Sequence, residues 1–248
     1  MSSAEHHNCV LITGATSGIG NQLAKDYADE GYFVWACGRN FEQLGELEEY
    51  SNNIRTIGFD ISDLESTKLH LESLSPEPSL WIFNAGTCEY IDDGRMDAEL
   101  VGRVFSANVQ GLVNSIEATQ PMYRSGHRIA VVGSIASELA LPRAEAYGAS
   151  KAAVSYIARA LAVDLKNSGV NVTTIFPGFV KTPLTDKNTF SMPMIVSVKE
   201  ASLAIRNGIK AGKSNIYFPK RFTSILRAIS LLPYEWQSYL VNRFVKEQ

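Results

Sequence analysis

The chain of 248 residues has 45% hydrophobic and 20% charged residues, 18 Gly, 9 Pro and a net charge of −3. That balance excludes disordered, collagenous and coiled-coil chains, and without a basic excess or a recognised reading motif it gives no support to nucleic-acid binding. A chain of this length can bury roughly 70–75% of its unfolded surface in one α/β domain. Cys9, Cys37 and Cys88 are odd in number and far apart, which fits neither a disulfide framework nor a zinc pair and suits a reducing compartment. His6, His7, His70 and His127 have no ligand spacing, so no metal site is expected. Residues 1–8 lack the basic region and apolar core of a signal peptide, and nowhere do 18 apolar residues run together, so the expectation is a cytoplasmic protein.

In chain order, short β-branched or aromatic runs at 10–13, 32–37, 54–59, 80–83, 128–132, 170–176 and 215–218 read as strands. Several are apolar almost throughout, as strands covered on both faces must be, and the stretches between them are long enough for crossover helices. The expected fold is α/β: one Rossmann-like domain over 1–248, a doubly wound seven-stranded parallel sheet with helices on both faces. The irregular segment 179–197 is expected to be a substrate lid, and 220–248 a C-terminal pair of amphipathic helices.

After the first strand come Thr13, Gly14, Ala15, Thr16, Ser17, Gly18, Ile19 and Gly20, followed by a helical pattern. Glycines allow positive φ and let backbone approach a pyrophosphate, and the helix start offers free N–H groups and a positive dipole end. A tight βα turn is the alternative. The second strand ends at Gly38, Arg39 and Asn40, with no acid for a ribose 2′-hydroxyl. Arg39 could stack on adenine and pair with a 2′-phosphate, which favours NADP(H) over NAD(H).

Tyr147 and Lys151 lie one turn apart on a helix expected over 145–166, with Ser134 at the end of the fifth strand and Asn108 in a long helix. A tyrosine with a pKa of about 10 is a poor acid–base group at pH 7; a cation about 4 Å away stabilises phenolate by roughly the 4 kcal/mol needed to lower it by about 3 pKa units. Lys151 is thus expected to activate Tyr147, and Ser134 to hold the substrate oxygen against it.

Together these residues resemble the short-chain dehydrogenase/reductase family, in its form of about 250 residues, over roughly residues 10–182. The match includes the glycine segment, Asp60 where the family contacts adenine, Asn84-Ala85-Gly86, and the four residues Asn108, Ser134, Tyr147 and Lys151. Pro177, Gly178, Val180 and Thr182 are similar to the segment covering the nicotinamide, while Phe83 stands where the family often has Asn. The resemblance implies that Tyr147 is the acid–base residue, Ser134 orients substrate, Lys151 binds the nicotinamide ribose and lowers the Tyr147 pKa, and Asn108 holds a relay water. Each residue also has a local alternative: Ser134 as a helix cap, Asn108 as a helix break, Asp60 in a turn with Ser62 and Asp63, Asn84 bridging strands. A non-catalytic, redox-sensing NADP(H)-binding protein is the other functional class to separate.

Substrate-facing stretches are expected at 138–143 and in the lid. Leu139, Leu141, Pro142, Phe179, Leu184, Phe190, Met192 and Met194 suggest an aldehyde or ketone with an apolar body, unless they only pack the lid onto the core. Glu89 and Tyr90 could add a polar edge. Residues 216–248 carry five basic side chains against two acidic ones. Packing on the body or a subunit, or contact with an anionic bilayer, would each suit two basic helices bearing aromatics. The resemblance implies at least a homodimer through the helices holding Asn108 and Tyr147. A tetramer using the last strand is in doubt, because the chain runs about 30 residues past it.

Overall fold

The computed structural model describes residues 8–186 and 192–246. Seven strands, β1 (Cys9–Thr13), β2 (Phe33–Gly38), β3 (Ile54–Gly58), β4 (Leu80–Phe83), β5 (Arg128–Val132), β6 (Asn171–Pro177) and β7 (Asn215–Phe218), form one sheet in the order β3-β2-β1-β4-β5-β6-β7. Every pairing is parallel. The expected doubly wound sheet is therefore the observed one, with strand ends within about one residue of the sequence reading.

The apolar strands are explained by what covers them. On β1, Val10 and Ile12 join a core with Leu23, Tyr27, Ile205 and Ile209, whereas Leu11 faces the other way into a core with Trp81, Leu112, Ile129, Val154 and Ala158. The first core is roofed by α1 (Gly18–Asp29) and α7 (Val198–Lys210), the second by α3 (Leu64–Leu71), α5 (Gly111–Thr119) and α6 (Glu145–Asp164). Each fully buried Leu or Ile contributes roughly 1.5–3 kcal/mol, so neither face of the sheet can be polar.

The remaining helices are α2 (Phe41–Tyr50), α4 (Ala98–Phe105), α8 (Lys220–Ser230) and α9 (Tyr234–Lys246). The long helix expected around Asn108 is interrupted: between α4 and α5 the backbone makes a π turn over Ser106–Gln110. The extra residue in that turn is held by tertiary bonds from Asn108.

In register, Thr13 lies beside Cys37 and Phe83, Phe83 beside Val131, and Val132 beside Ile175. The strands thus end together, and the loops carrying Gly14, Asn84, Ser134 and Gly178 leave from one edge. The strand order reverses between β1 and β4, the place where open α/β sheets bind ligands.

Candidate active site

Gly14 (φ +68°) and Gly18 (φ +54°) hold the left-handed backbone that the loop after β1 requires. A Cβ on Gly14 would lie 2.7 Å from the Ala85 Cα, and one on Gly20 would lie 2.3 Å from the Gly14 carbonyl oxygen. The loop therefore closes on itself and on the end of β4 only with glycine at those positions. Ser17, the N-cap of α1, is exposed and makes no side-chain cap bond, and the first turn of α1 carries no acid. In α2, α3, α4, α6 and α7 the first turn does carry a glutamate. The positive end of α1 is thus left to an anion from outside, and a pyrophosphate fits it. Thr16 packs against Gly38, where a Cβ would meet its methyl at 2.4 Å, and half-buried Ile19 packs onto the core.

Arg39 donates from Nη1 to Asp60 Oδ2 at 3.0 Å, across the ends of β2 and β3. Asp60 Oδ1 also accepts from the Ser62 amide (2.9 Å) and hydroxyl (2.7 Å), so its turn role is real. Partial burial pushes the Asp60 carboxyl up, but the Ser62 and Arg39 bonds outweigh it and hold the group below the usual carboxylate range. Asn84 bridges strands: Nδ2 donates to the Thr13 and Gly14 carbonyls, both at 3.1 Å, while its amide and that of Ala85 donate to the buried Thr13 hydroxyl at 3.1 and 3.2 Å. Its side chain thus secures the cradle.

Ser134 Oγ accepts from the Ala136 amide at 3.1 Å as the cap of a short 3₁₀ turn, and Ser134 lies close enough to Tyr147 to bear on its phenol. Lys151, 5% exposed, donates from Nζ to the Val132 carbonyl at 2.9 Å and stands 5.9 Å from the centre of the Tyr147 ring. Burial lowers the Lys151 ammonium to about 8. Burial likewise pushes the Tyr147 phenol above its usual range, with the Cys88 thiol acting in the same sense and Ser134 opposing. The sequence reading expected a lowered phenol; among the protein's own groups desolvation wins instead. Asn108 is buried and fully engaged: Oδ1 accepts from the Thr87 amide (2.7 Å), and Nδ2 donates to the Thr87 carbonyl and Ser150 Oγ, both at 2.9 Å. It therefore ties the π turn to the loop after β4 and to α6, whose Tyr147 it helps position. Gly86 fits beside it because a Cβ there would lie 2.8 Å from Asn108 Oδ1.

Residues 8–192 match the family described as short chain dehydrogenase. The chain belongs to that family. An uncharacterized oxidoreductase of Myxococcus xanthus is 32% identical over 237 residues, 92% of this chain and 93% of the relative. An NADPH-dependent 1-acyldihydroxyacetone phosphate reductase of Saccharomyces cerevisiae is 30% identical over 218 residues, 84% of this chain and 73% of that protein. A solved short chain dehydrogenase of Burkholderia cenocepacia, in complex with NADP, superposes with a TM-score of 0.78 at 24% identity, covering 91% of this chain and 98% of the other, which supports the fold.

In this short chain dehydrogenase the segment after β6 crosses the cradle. Gly178 donates its amide to the Phe218 carbonyl at 2.7 Å, Val180 is buried in the α1–α7 core and bridges to Val196, and the Thr182 methyl lies 3.0 Å from where Gly18 would carry a Cβ. Pro177 ends β6 in the buried interior. Of the expected substrate residues, Leu139 is buried, Leu141, Pro142, Leu184 and Met192 are half-buried, and Met194 is exposed. Phe179 packs on Phe222 of α8 with ring centres 5.3 Å apart, so part of the apolar surface of the segment expected to be a lid serves packing. Phe190 lies outside the described residues. Glu89 pairs with Arg103 at 3.0 Å, and the Tyr90 ring lies under the Arg143 guanidinium, 5.4 Å away.

Sequence reasoning places Thr13 in the glycine segment without giving its side chain a role, and Ser150 and Cys88 escape it. Thr13 and Ser150 act through single hydroxyls in common helix and strand contexts, and only their partners identify them. Cys88 is felt electrostatically by both Tyr147 and Lys151, and burial raises its thiol against a hydrogen bond from Tyr90. Its place two residues after Asn84-Ala85-Gly86 was the available signal.

Proposed function

We propose that this oxidoreductase reduces an aldehyde or ketone with an apolar body, using NADPH, with Tyr147 giving the proton. The observation that carries the reading is the convergence of Ser134, Tyr147 and Lys151, whose Nζ stands 5.9 Å from the centre of the Tyr147 ring, at the sheet edge that carries the anion-ready start of α1. Gly14, Thr16, Ser17, Gly18, Ile19 and Gly20 would hold the pyrophosphate. Arg39 and Asp60 would hold the adenosine end, Ala85 and Gly86 the middle, and Lys151, Pro177, Gly178, Val180 and Thr182 the nicotinamide end. The nicotinamide supplies the hydride when bound. Ser134 Oγ holds the substrate oxygen, and the Tyr147 hydroxyl, neutral at pH 7, donates to that oxygen as charge develops on it. Lys151 can pass a proton at neutral pH because burial has brought its ammonium to about 8.

The relative named as an NADPH-dependent 1-acyldihydroxyacetone phosphate reductase supports the cofactor and a ketone substrate that carries an acyl chain. The exposed Tyr156 and Val163 on α6 support pairing of two chains through that helix. Consumption of NADPH and NADH across apolar aldehydes and ketones of rising chain length tests the reading. Turnover that rises with chain length supports it; tight NADPH binding without turnover on any member of the panel refutes it.

The Arg39–Asp60 pair is exposed at 71% and 42%, and such pairs contribute little. A 2′-phosphate can therefore recruit Arg39 at small cost. Arg39→Asp is expected to move the NADPH/NADH ratio of kcat/KM about 10- to 100-fold toward NADH, the loss of one or two charge-assisted bonds. An unmoved ratio would remove Arg39 from the cofactor site.

A further inference from the structure

The last two helices are attached to the fold by little. α8 buries Thr223, rests Phe222 on Phe179 and stacks Arg227 on the Tyr217 ring at 4.2 Å; α9 buries Val241. The turn between them is nonetheless ordered, since Gln237 Nε2 donates to the Ser230 and Leu232 carbonyls at 3.1 and 2.8 Å. The result is a firm helical hairpin whose tip is apolar and bare. Leu231 is 87% exposed, Tyr234 70% and Trp236 60%, with Leu232, Tyr239 and Ile225 also exposed. Lys220, Arg221, Arg227 and Arg243 stand exposed along the same two helices.

We propose that this hairpin docks on an anionic lipid bilayer, with Leu231, Leu232, Tyr234 and Trp236 entering the headgroup–acyl boundary and the basic side chains lying on the lipid phosphates. The charge distribution argues for that occupant. Residues 216–248 carry five basic against two acidic side chains, whereas the whole chain is at −3. A negative surface therefore attracts the hairpin and repels the body, which fixes one orientation. The side-chain types agree: leucines at a protruding turn with Trp and Tyr behind them are those favoured at the lipid interface. Among the described residues no helix is long and apolar enough to cross a membrane, so the contact lies in one leaflet.

A second copy of the chain suits the tip less well. A recess of about 240 Å³ lined by Tyr123, Leu161, Leu165 and Val170 lies toward the starts of the strands, whereas the hairpin follows the end of β7. Tip-to-recess docking would be head-to-tail and would not close. Because Phe222 contacts Phe179, docking also sets the lid beside the lipid surface. That corollary rests on the proposed apolar substrate; the docking does not.

Trp236 provides the readout, since Trp81 is fully buried and Trp35 is half-buried in the sheet. The full chain is mixed with phosphatidylglycerol-rich or pure phosphatidylcholine vesicles, and tryptophan emission and co-sedimentation are followed without substrate. The expected result is a blue shift with binding at least about tenfold tighter to the anionic vesicles, weakened by salt. The double variant Leu231→Asp/Leu232→Asp is expected to lose the binding while retaining its far-ultraviolet circular dichroism. No binding, equal binding to both vesicle types, or equal binding by the variant overturns the proposal. So does Trp236 emission already blue-shifted without lipid, together with a lower sedimentation coefficient for the variant, which would make the tip a protein–protein contact.

Discussion

Tyr147→Phe is expected to lower turnover of an apolar ketone by about 10²- to 10⁴-fold, the usual contribution of a positioned general acid, while the Kd for NADPH changes less than about threefold. The reasoning separates the two roles of the side chain. Its ring is carried by α6, and its hydroxyl feels the neighbouring Ser134. Phenylalanine keeps the ring and removes only the hydroxyl, at a net cost of about 1 kcal/mol at most, so fold and cradle survive. The pH dependence has a definite sign. Burial holds the phenol above its usual range, so the proton-donating form persists throughout the neutral region and reduction should not fall there through loss of that proton. Oxidation of the alcohol needs phenolate and should rise with pH. Stopped-flow reduction and oxidation rates between pH 6 and 9, with NADPH titrations of both proteins, check this. A variant keeping a tenth or more of wild-type turnover would transfer the proton-donor role to another group.

What the sequence made legible depends on how local the cause is. The parallel sheet could be read because burial on both faces forces nearly unbroken apolar strands such as Leu80–Phe83, in which every residue is buried. The cradle could be read because Gly14 and Gly18 need positive φ and Gly20 needs a close approach, and those demands fall within seven residues. The π turn at Asn108 could not, because its composition is that of any helix and its cause lies in Thr87 and Ser150, 21 and 42 residues away. The engagement of Arg39 with Asp60 and of Asn84 with Thr13 likewise depends on strands that meet only in the sheet. For Ser134, Asp60 and Asn84 the local alternatives hold, and they leave the site reading open, because a side chain that caps, turns or bridges at the sheet edge is also fixed in place for a ligand. The expected lowering of the phenol is not what the structure gives, for a physical reason: the sequence shows a lysine one turn away but not the burial, which raises the phenol and lowers the lysine's own pKa.

Lys151→Met should make the protein more stable at pH 6.5 and almost inactive. The fall of its pKa from 10.5 to about 8 corresponds to about 3 kcal/mol for keeping an ammonium charged inside the fold. Below pH 8 both the folded and unfolded chains carry the proton, so that cost is present in full. As pH rises through 8 the folded protein releases the proton first, stability recovers, and above 10.5 the cost is gone. Methionine has similar length and no charge, and it leaves the Val132 carbonyl without the Nζ donor at 2.9 Å, a loss of about 1 kcal/mol. The net gain is therefore about 2 kcal/mol near pH 6.5, or about 4–8 °C in melting temperature for a chain of this size, falling to nothing or a small loss near pH 10.5. Thermal melts of both proteins without nucleotide, compared at each pH so that other titrations cancel, measure that difference. Turnover should drop by about 10² or more at every pH, because the proposed ribose contact and proton path would both be lost. A variant less stable than wild type at pH 6.5 would show that the cation is held by interactions stronger than its burial cost. A gain that vanishes at high pH would identify Lys151 as a site where the fold gives up stability to keep a charge the chemistry needs.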